Sequence, residues 1–573
     1  MQRNSLRRII FDGNTPIREV IAVLSAPLKK QDGLPGGIAL IAGAGGKLTG
    51  IVTDGDVRRG IARGISLDAP VSRIANRQPI FIPDAVSLRE RAAYIRNALL
   101  HKGSLKKYVE KVVVVDKNGA PTDVLTTYDI WQTADSRLKR VGVVGLGYVG
   151  LTLSLTLAEL GFTVFGLEKN KKIAANIAAG TPHFHEDGLA ELLKAQRGKN
   201  FMLVDDFEGS RSVDVYVIAV GTPLTKSGAP DASALKEVAL SIGRVLKRND
   251  LVVLRSTVAV GMTRDIVVPI LEKESGLSAG SEFLVAFAPE RTVEGKALQE
   301  LRALPQIVGG FNRASAESAA SVFSFLTHSV VTLDSLEEAE MVKLINNTYR
   351  DVTFGFANEV ALIAEKWGVR ASKVIKAANF GYERSAVPLP SPGVGGYCLA
   401  KDPQIFSASA RAKGYRTALL TAGRRVNTNM LSQIANYARE FLAKKHIAPR
   451  SARVLIFGVA YKGIPKTSDM RGSPALEIAE ALRKSGVKNI TAYDTAVSTE
   501  DIKRAGLSPA RGWQSAVRGA DVILCMNNNP DFASLDIKKV CARRKKPLFI
   551  FDGWGMFREQ ELDRQPLISY HSL

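Results

Sequence analysis

Between residues 140 and 290 the chain alternates short apolar runs with longer stretches of helical periodicity. "RVGVV" at 140, "DVYVIAVGTP" (214–223), "DLVVLRSTV" (250–258) and "FLVAFAPE" (283–290) are the runs. Continuous apolar runs of this length, interleaved with helices, predict strands covered on both faces in a parallel sheet. Residues 337–368, "EEAEMVKLINNTYRDVTFGFANEVALIAEKWG", carry no proline and place apolar residues at helical spacing. One long helix is expected there, a spine and dimer contact, with Lys343 and Asn347 one turn apart on a shared face. At 452–486, "ARVLIFGVAYKGIPKTSDMRGSPALEIAEALRKSG" leads through a helix into "ITAYDT" (490–495), a second βαβ unit with Lys462, Lys466 and Arg471 in its loop.

Residues 1–136 follow another pattern. "GKLTGIVTDGDVRRGI" (46–61) is repeated weakly by "GAPTDVLTTYDIWQTA" (119–134), and "IALIAG" before the first copy matches "KVVVVD" before the second. Each copy has a turn, a short strand and Thr-x-x-Asp at a helix start, aligning Thr53 and Asp56 with Thr126 and Asp129. The repeat resembles a cystathionine-β-synthase (CBS) domain pair, which implies an adenosine nucleotide between the modules, with these residues near its ribose. Simple helix capping explains the same aspartates and is compatible with binding.

Length and composition narrow the class. A chain of 573 residues is too long for one core, so several domains are expected. Three cysteines without zinc-like spacing argue against a disulfide scaffold and a metal site and for a reducing compartment, taken as the cytoplasm. No apolar run reaches the length of a membrane span, and "MQRNSLRRII" lacks the apolar core of a signal peptide. The net charge of +22 favours anionic partners. Its basic residues are spread along the chain, and the densest run, "KKVCARRKKP" (538–547), reads as a solvated helix end, so no nucleic-acid partner is expected.

Chemistry enters with "RVGVVGLGYVGLTLSLTLAELGFTVFGLEKN" (140–170). A strand runs into Gly145-x-Gly147-x-x-Gly150, then a helix, then a second strand ending at Glu168, about 20 residues on. The glycines allow the tight turn, the approach of backbone to a pyrophosphate and close helix packing. Glu168 accepts from ribose hydroxyls and repels a 2′-phosphate, which favours NAD over NADP. Thr222, Thr257 and Glu290 follow three later strands, so one rim of the sheet should carry all three.

Cys398 lies in "GVGGYCLAKDP" (393–403), behind glycines that admit a ligand to the backbone. Asp402 and Pro403 read as N-cap and first residue of a helix, so the cysteine is expected on a loop ahead of a helix N-terminus, a setting that favours thiolate. On this segment alone a nucleophile and an inert thiol remain equally open. An NAD site elsewhere in the chain suggests a chemistry for the nucleophile. A thiolate adds to an aldehyde, a second hydride transfer gives a thioester, and water cleaves it.

"GLGYVGL", "VGTP", "RSTVAVGMT", "APERTVEG", "EAEMVKLINNTYRDV", "GVGGYCLAKDP" and "FGVAYKGIPKTSDMRGSPAL", in this order, resemble the UDP-glucose/GDP-mannose dehydrogenase family. The resemblance implies an α/β fold of two Rossmann-like domains joined by a long helical spine and preceded by the α+β CBS pair. The expected boundaries are 1–136 for the CBS pair, 137–331 for the NAD domain, 332–446 for the central helical domain and 447–573 for the UDP-sugar domain.

It implies Cys398 as nucleophile, Lys343 and Asn347 as oxyanion donors, Asp402 positioning Lys343 and water, and Glu290 with Thr257 activating water. It implies cofactor contacts from Gly145, Gly147, Tyr148, Val149, Gly150, Glu168 and Thr222. Substrate contacts fall to Glu294, Arg384, Gly395, Lys462 and Arg471, with Arg384 directed to a neighbouring subunit of a homodimer or larger homo-oligomer. "PER" and "NTYRDV" resemble the branch acting on UDP-N-acetylhexosamines such as UDP-N-acetylmannosamine; "EGKA" and "CLAKDP" resemble the UDP-glucose branch, and GDP-mannose stands third. Two rivals are a two-electron 3-hydroxyacid dehydrogenase, which needs neither Cys398 nor residues 450–573, and a non-catalytic nucleotide sensor, which needs no intact set of site residues.

Overall fold

A computed structural model of the chain describes residues 6–24, 37–86, 94, 111–126, 140–208, 213–225, 228–327, 329–382, 384, 386–542, 544–557 and 562–573. Asp129 lies outside the described residues, as does the side chain of Thr126.

The amino-terminal repeat is a repeat of strand topology. Strands β1 (Ile10–Asp12), β2 (Ile38–Ala42) and β3 (Leu48–Thr53) form one sheet, and β4 (Phe81–Pro83), β5 (Lys111–Val115) and β6 (Pro121–Thr126) form the other. In each, the first strand runs parallel and the third antiparallel to the second. Both carry a register shift near the end of the central strand, at Ile41/Ala42 and Val114/Val115. Ile38, Leu40 and Ile51 of one copy share a core with Val113, Val115 and Val124 of the other, so neither sheet leaves its apolar face to water. Thr53 opens helix α1 (Asp54–Ala62) with a capping box: its N–H and Oγ1 both donate to Asp56 Oδ2, at 2.9 and 2.7 Å.

The larger of the two remaining sheets has eight strands in the order β14-β13-β12-β11-β10-β7-β8-β9. These are β7 (Arg140–Val144), β8 (Thr163–Leu167), β9 (Phe201–Val204), β10 (Val215–Ile218), β11 (Leu251–Leu254), β12 (Leu284–Phe287), β13 (Gln306–Gly310) and β14 (Val330–Leu333). The six from β9 to β12 are parallel, and their order reverses between β7 and β10, the crevice where a doubly wound sheet takes its ligand. Strands β10, β11 and β12 are shorter than the apolar runs that announce them, because the last residues of each run turn into the rim loops.

Helix α2 (Tyr148–Glu159) follows β7 and is buried from Gly150 to Ala158; its Thr152, Ser154 and Thr156 hydroxyls donate to carbonyls one turn back, at Tyr148, Gly150 and Thr152.

The six-stranded sheet, β17-β16-β15-β18-β19-β20, repeats the doubly wound order. It comprises β15 (Arg453–Phe457), β16 (Asn489–Tyr493), β17 (Ser508–Pro509), β18 (Val522–Cys525), β19 (Leu548–Asp552) and β20 (Ile568–Ser572), all parallel. Between the two large sheets stands the expected long helix, α3 (Leu336–Lys366), opened by a capping box of Ser335 and Glu338. It packs against α4 (Tyr397–Ala412) and α5 (Ala418–Lys444). Among the described residues no helix is long and apolar enough to cross a membrane.

Candidate active site

The glycine fingerprint has the backbone a dinucleotide needs. Gly145 turns the chain at φ +86°, and a Cβ there would stand 2.8 Å from the Ala219 carbonyl oxygen. At Gly150 a Cβ would lie 1.8 Å from the Gly145 oxygen, so only glycine lets α2 seat against the turn. A Cβ at Gly147 would meet nothing within 4 Å, and this N-cap faces open space in front of the first N–H groups of α2. These features fit the pyrophosphate of NAD.

Glu168 stands at the end of β8 and fastens the turn: its Oε2 accepts from Leu146 N and its Oε1 from Asn170 N, both at 2.8 Å. The side chain of Tyr148 turns to Glu186. Its hydroxyl donates to Glu186 Oε2 at 2.8 Å, and burial together with that carboxylate pushes its pKa up. Glu186 also accepts from Gly295 N at 2.7 Å. It thereby ties the fingerprint to the loop carrying Glu290 and Glu294, a role that nothing in "FHEDG" announces.

The rim of the sheet carries Thr222, Thr257 and Glu290 in the loops after β10, β11 and β12, as the strand ends predict. Thr222 Oγ1 donates to the Thr257 carbonyl. Glu290 is buried against Arg255, a residue the sequence reading passed over. Arg255 Nη2 and Nε reach Glu290 Oε2 at 2.7 and 3.2 Å, and the amides of Arg291 and Thr292 bond Oε1 at 2.7 and 2.8 Å. Burial alone would raise the Glu290 pKa. Arg255, the Thr292 amide and Lys343 outweigh it and hold the carboxyl below its ordinary value. The sequence signal for Arg255 is an arginine closing the apolar run "DLVVLR".

The cysteine segment differs from its expected form. Helix α4 begins at Tyr397, with Gly396 at φ +91° as N-cap, and Pro403 lies inside it. Asp402 is therefore not the cap but a buried residue of the helix, and Cys398 is in its first turn. The glycines explain the earlier start. A Cβ at Gly396 would meet the Tyr461 ring at 2.7 Å, and one at Gly395 would meet Pro474 Cδ at 2.4 Å. Gly395 is thus required by packing against helix α6 (Pro474–Lys484).

Cys398 opens to solvent, but the protein around it raises its pKa by burial. Lys343 and Lys401 lower it, and Asp402 and Glu294 raise it further. The net shift is upward, so the helix terminus does not by itself give the expected thiolate.

Asn347 Nδ2 donates to Asp402 Oδ2 at 2.6 Å. Asp402 Oδ1 lies 3.6 Å from Lys401 Nζ, so this carboxylate is engaged by Asn347 and Lys401, not by Lys343 as expected. Lys401 in turn donates to the Thr222 carbonyl at 3.0 Å and fastens the cysteine helix to the rim of the NAD sheet. Lys343 acts electrostatically on both groups, lowering the pKa of Cys398 and of Glu290.

The loop after β15 closes the site from the other side. Lys462 Nζ donates to the Glu294 carbonyl at 2.9 Å, and Arg471 Nη2 reaches Glu294 Oε1 at 3.2 Å and Asp469 Oδ2 at 2.6 Å. The Glu294 pKa is pushed up to about 7 by burial and the neighbouring Asp469. The Arg471 guanidinium also stands 5.4 Å from the centre of the Tyr397 ring, next to Cys398. Arg384 is not brought to this group; it is exposed, with its guanidinium over Tyr382. Among the described residues no His, Cys, Asp or Glu cluster could hold a metal ion.

Comparison with known proteins matches this geometry to a family. Profiles of the UDP-glucose/GDP-mannose dehydrogenase family match residues 139–327 (NAD binding domain), 337–429 (central domain) and 455–559 (UDP binding domain). The UDP-N-acetyl-D-mannosamine dehydrogenase of Pyrococcus horikoshii is 34% identical over 425 residues, covering 73% of this chain and 96% of the relative. The UDP-glucose 6-dehydrogenase AglM of Haloferax volcanii is 31% identical over 75% of this chain and all of its own length (100%). The solved structure of the P. horikoshii enzyme superposes with a TM-score of 0.67 at 31% identity, over 76% of this chain and 98% of that one. The chain belongs to the UDP-glucose/GDP-mannose dehydrogenase family, whose members are NAD-dependent nucleotide-sugar dehydrogenases.

Proposed function

We propose that the protein oxidises the C6 alcohol of a UDP-N-acetylhexosamine, with UDP-N-acetylmannosamine first, to the uronic acid in two successive hydride transfers. The observation that carries this reading is the convergence of Cys398, Lys343 and the Asn347–Asp402 pair between the rim of the NAD sheet and the basic loop after β15. NAD supplies the hydride acceptor for each oxidation.

The chain's own residues do the rest. The Cys398 sulfur adds to the C6 aldehyde, and Lys343 and Asn347 donate to the oxygen as it gains charge. Loss of a second hydride leaves a thioester on Cys398. Glu290 takes a proton from the attacking water, with Thr257 holding it, and the C–S bond breaks to release carboxylate and restore the thiol. Lys462 and Arg471 bind the UDP portion.

Residues 137–331, 332–446 and 447–573 serve NAD, the catalytic spine and the UDP-sugar in this reading. The product would feed polysaccharide synthesis. Exposed Met341, Ile345, Tyr349, Phe356, Ile363 and Trp367 along α3 support a homodimer through this helix.

The test is NADH formation against UDP-N-acetylmannosamine, UDP-N-acetylglucosamine, UDP-glucose and GDP-mannose. Two NADH per uronate are expected, with the highest kcat/KM on an N-acetylhexosamine. One NADH with free aldehyde as product refutes the thioester route, and a preference for UDP-glucose reassigns the substrate. We further propose that residues 1–136 are a CBS pair that binds an adenosine nucleotide and adjusts turnover, supported by the paired sheets. Full-length protein should respond to AMP or ATP, and Asp56→Ala with Asp129→Ala should abolish the response; no response in the parent refutes it.

A further inference from the structure

The spine holds a buried polar chain that the reaction scheme leaves unused. Asp351 on α3 is fully buried, and its Oδ1 meets Arg424 Nη1 at 2.9 Å and Asn427 Nδ2 at 2.8 Å, both from α5. Asn427 Oδ1 accepts from Asn358 Nδ2 at 2.9 Å, and Asn358 Oδ1 accepts from Ser391 N at 2.8 Å. Ser391 opens the cysteine segment. Buried side chains of two helices are thus arranged to hold one end of that segment.

The other end is held by Arg424 itself. Its Nη2 donates to the Val394 carbonyl at 3.3 Å and its Nη1 to the Leu399 carbonyl at 3.4 Å, on either side of Gly395 to Cys398. The Leu399 carbonyl has a particular need. In an α-helix it would accept from the residue four positions on, and that residue is Pro403, which has no N–H. The planar guanidinium provides the donor the helix lacks and reaches a second carbonyl and a carboxylate at once. Burial raises the Asp351 pKa, and Arg424 and Asn427 oppose that shift.

We propose that Arg424, anchored by Asp351, is a positioning residue for the nucleophile: it fixes the backbone of residues 394–399 and so the direction of the Cys398 sulfur. Arg424 acts through that backbone and touches no reacting atom. The proposal rests on Cys398 being the nucleophile.

Arg424→Met removes the donors. Because misplacing a reacting group by about 1 Å costs on the order of 100-fold, kcat should fall by about that factor while KM and NAD affinity stay within about threefold. Cys398 is the exposed cysteine of the three, so iodoacetamide reports on it in the intact enzyme. Its alkylation rate and pH profile should change in Arg424→Met.

The decisive arm is Arg424→Met combined with Pro403→Ala, which restores an N–H opposite the Leu399 carbonyl; at least about tenfold of the lost kcat should return. If Arg424→Met does not fold, Arg424→Lys keeps the charge beside Asp351 but cannot span both carbonyls, and should fold with a reduced kcat. Native kcat in whichever of the two variants folds, an unchanged alkylation profile, or no rescue by Pro403→Ala overturns the proposal. Full turnover in Cys398→Ser refutes the thioester reading instead. Native kinetics in Arg424→Met, when Cys398→Ser is dead, refutes the positioning role alone.

Discussion

Replacing Arg255 by methionine tests how the carboxylate beside the reaction is kept charged. Methionine retains much of the aliphatic stem but removes the guanidinium that contacts Glu290 Oε2, Gln306 Oε1 at 3.1 Å, the Ala288 carbonyl at 3.2 Å and the Phe323 ring, 5.0 Å from its centroid. The Arg255 side chain is completely buried and that of Glu290 nearly so. Breaking such a pair by removing one partner costs about 3–5 kcal/mol, because it strands a buried charge.

The carboxylate can escape that penalty by taking a proton, so the variant should also invert the pH dependence of stability. In the parent, the Glu290 pKa lies below its unfolded value. Its contribution is then present above the unfolded pKa and lost as pH falls through the folded pKa. In Arg255→Met burial is no longer outweighed, and the folded pKa moves above the unfolded one. The contribution is then full below the unfolded pKa and lost as pH rises through the folded pKa.

Urea midpoints of parent and variant, measured from acid to mildly alkaline pH, give the comparison. The gap between them should widen with rising pH. In the proposed thioester route, hydrolysis should slow in the neutral range, so that intact-mass analysis finds an acyl adduct on Cys398. A loss under about 1 kcal/mol with parallel pH curves would refute the account of Glu290, since a buried charge cannot lose its partner that cheaply.

Gly150→Ala should abolish NAD binding in titration calorimetry while the rest of the chain stays folded, because its Cβ would overlap the Gly145 oxygen at 1.8 Å. Wild-type affinity would show that the turn is free to rearrange. Gly355→Ala drives a Cβ to 2.9 Å from Gly423 Cα and oxygen, backbone that cannot swing aside. Forced separation of α3 and α5 should lower the melting temperature by an amount equivalent to about 1–3 kcal/mol, read by calorimetry. Asp56→Ala removes the acceptor for Thr53 N–H and Oγ1, and should destabilise the amino-terminal unit by about 1 kcal/mol, seen as faster amide exchange in α1.

The glycine turn at 145–150, the long helix expected over 337–368 and the duplicated strands before residue 127 were legible in the sequence. Each depends on φ/ψ preference or on apolar periodicity within one element, and both are written in neighbouring residues. The family resemblance implied the proposed roles of Cys398, Lys343, Asn347 and Glu290, but not their surroundings. Asp402 and Pro403 look like a helix start because that pair commonly is one. The true start at Tyr397 follows from how closely Gly395 and Gly396 approach Pro474 and Tyr461, residues of another domain.

The pairing of Arg255 with Glu290, of Asn347 with Asp402 across 55 residues and of Lys401 with Thr222 across 179 leaves no local trace, because nothing but the packed fold brings those groups within reach. The pKa shifts follow the same division. Residue type provides the titratable group, whereas burial and the distance to other charges decide its direction. Both arise only when the rim of the NAD sheet, the spine and the loop after β15 close around Cys398.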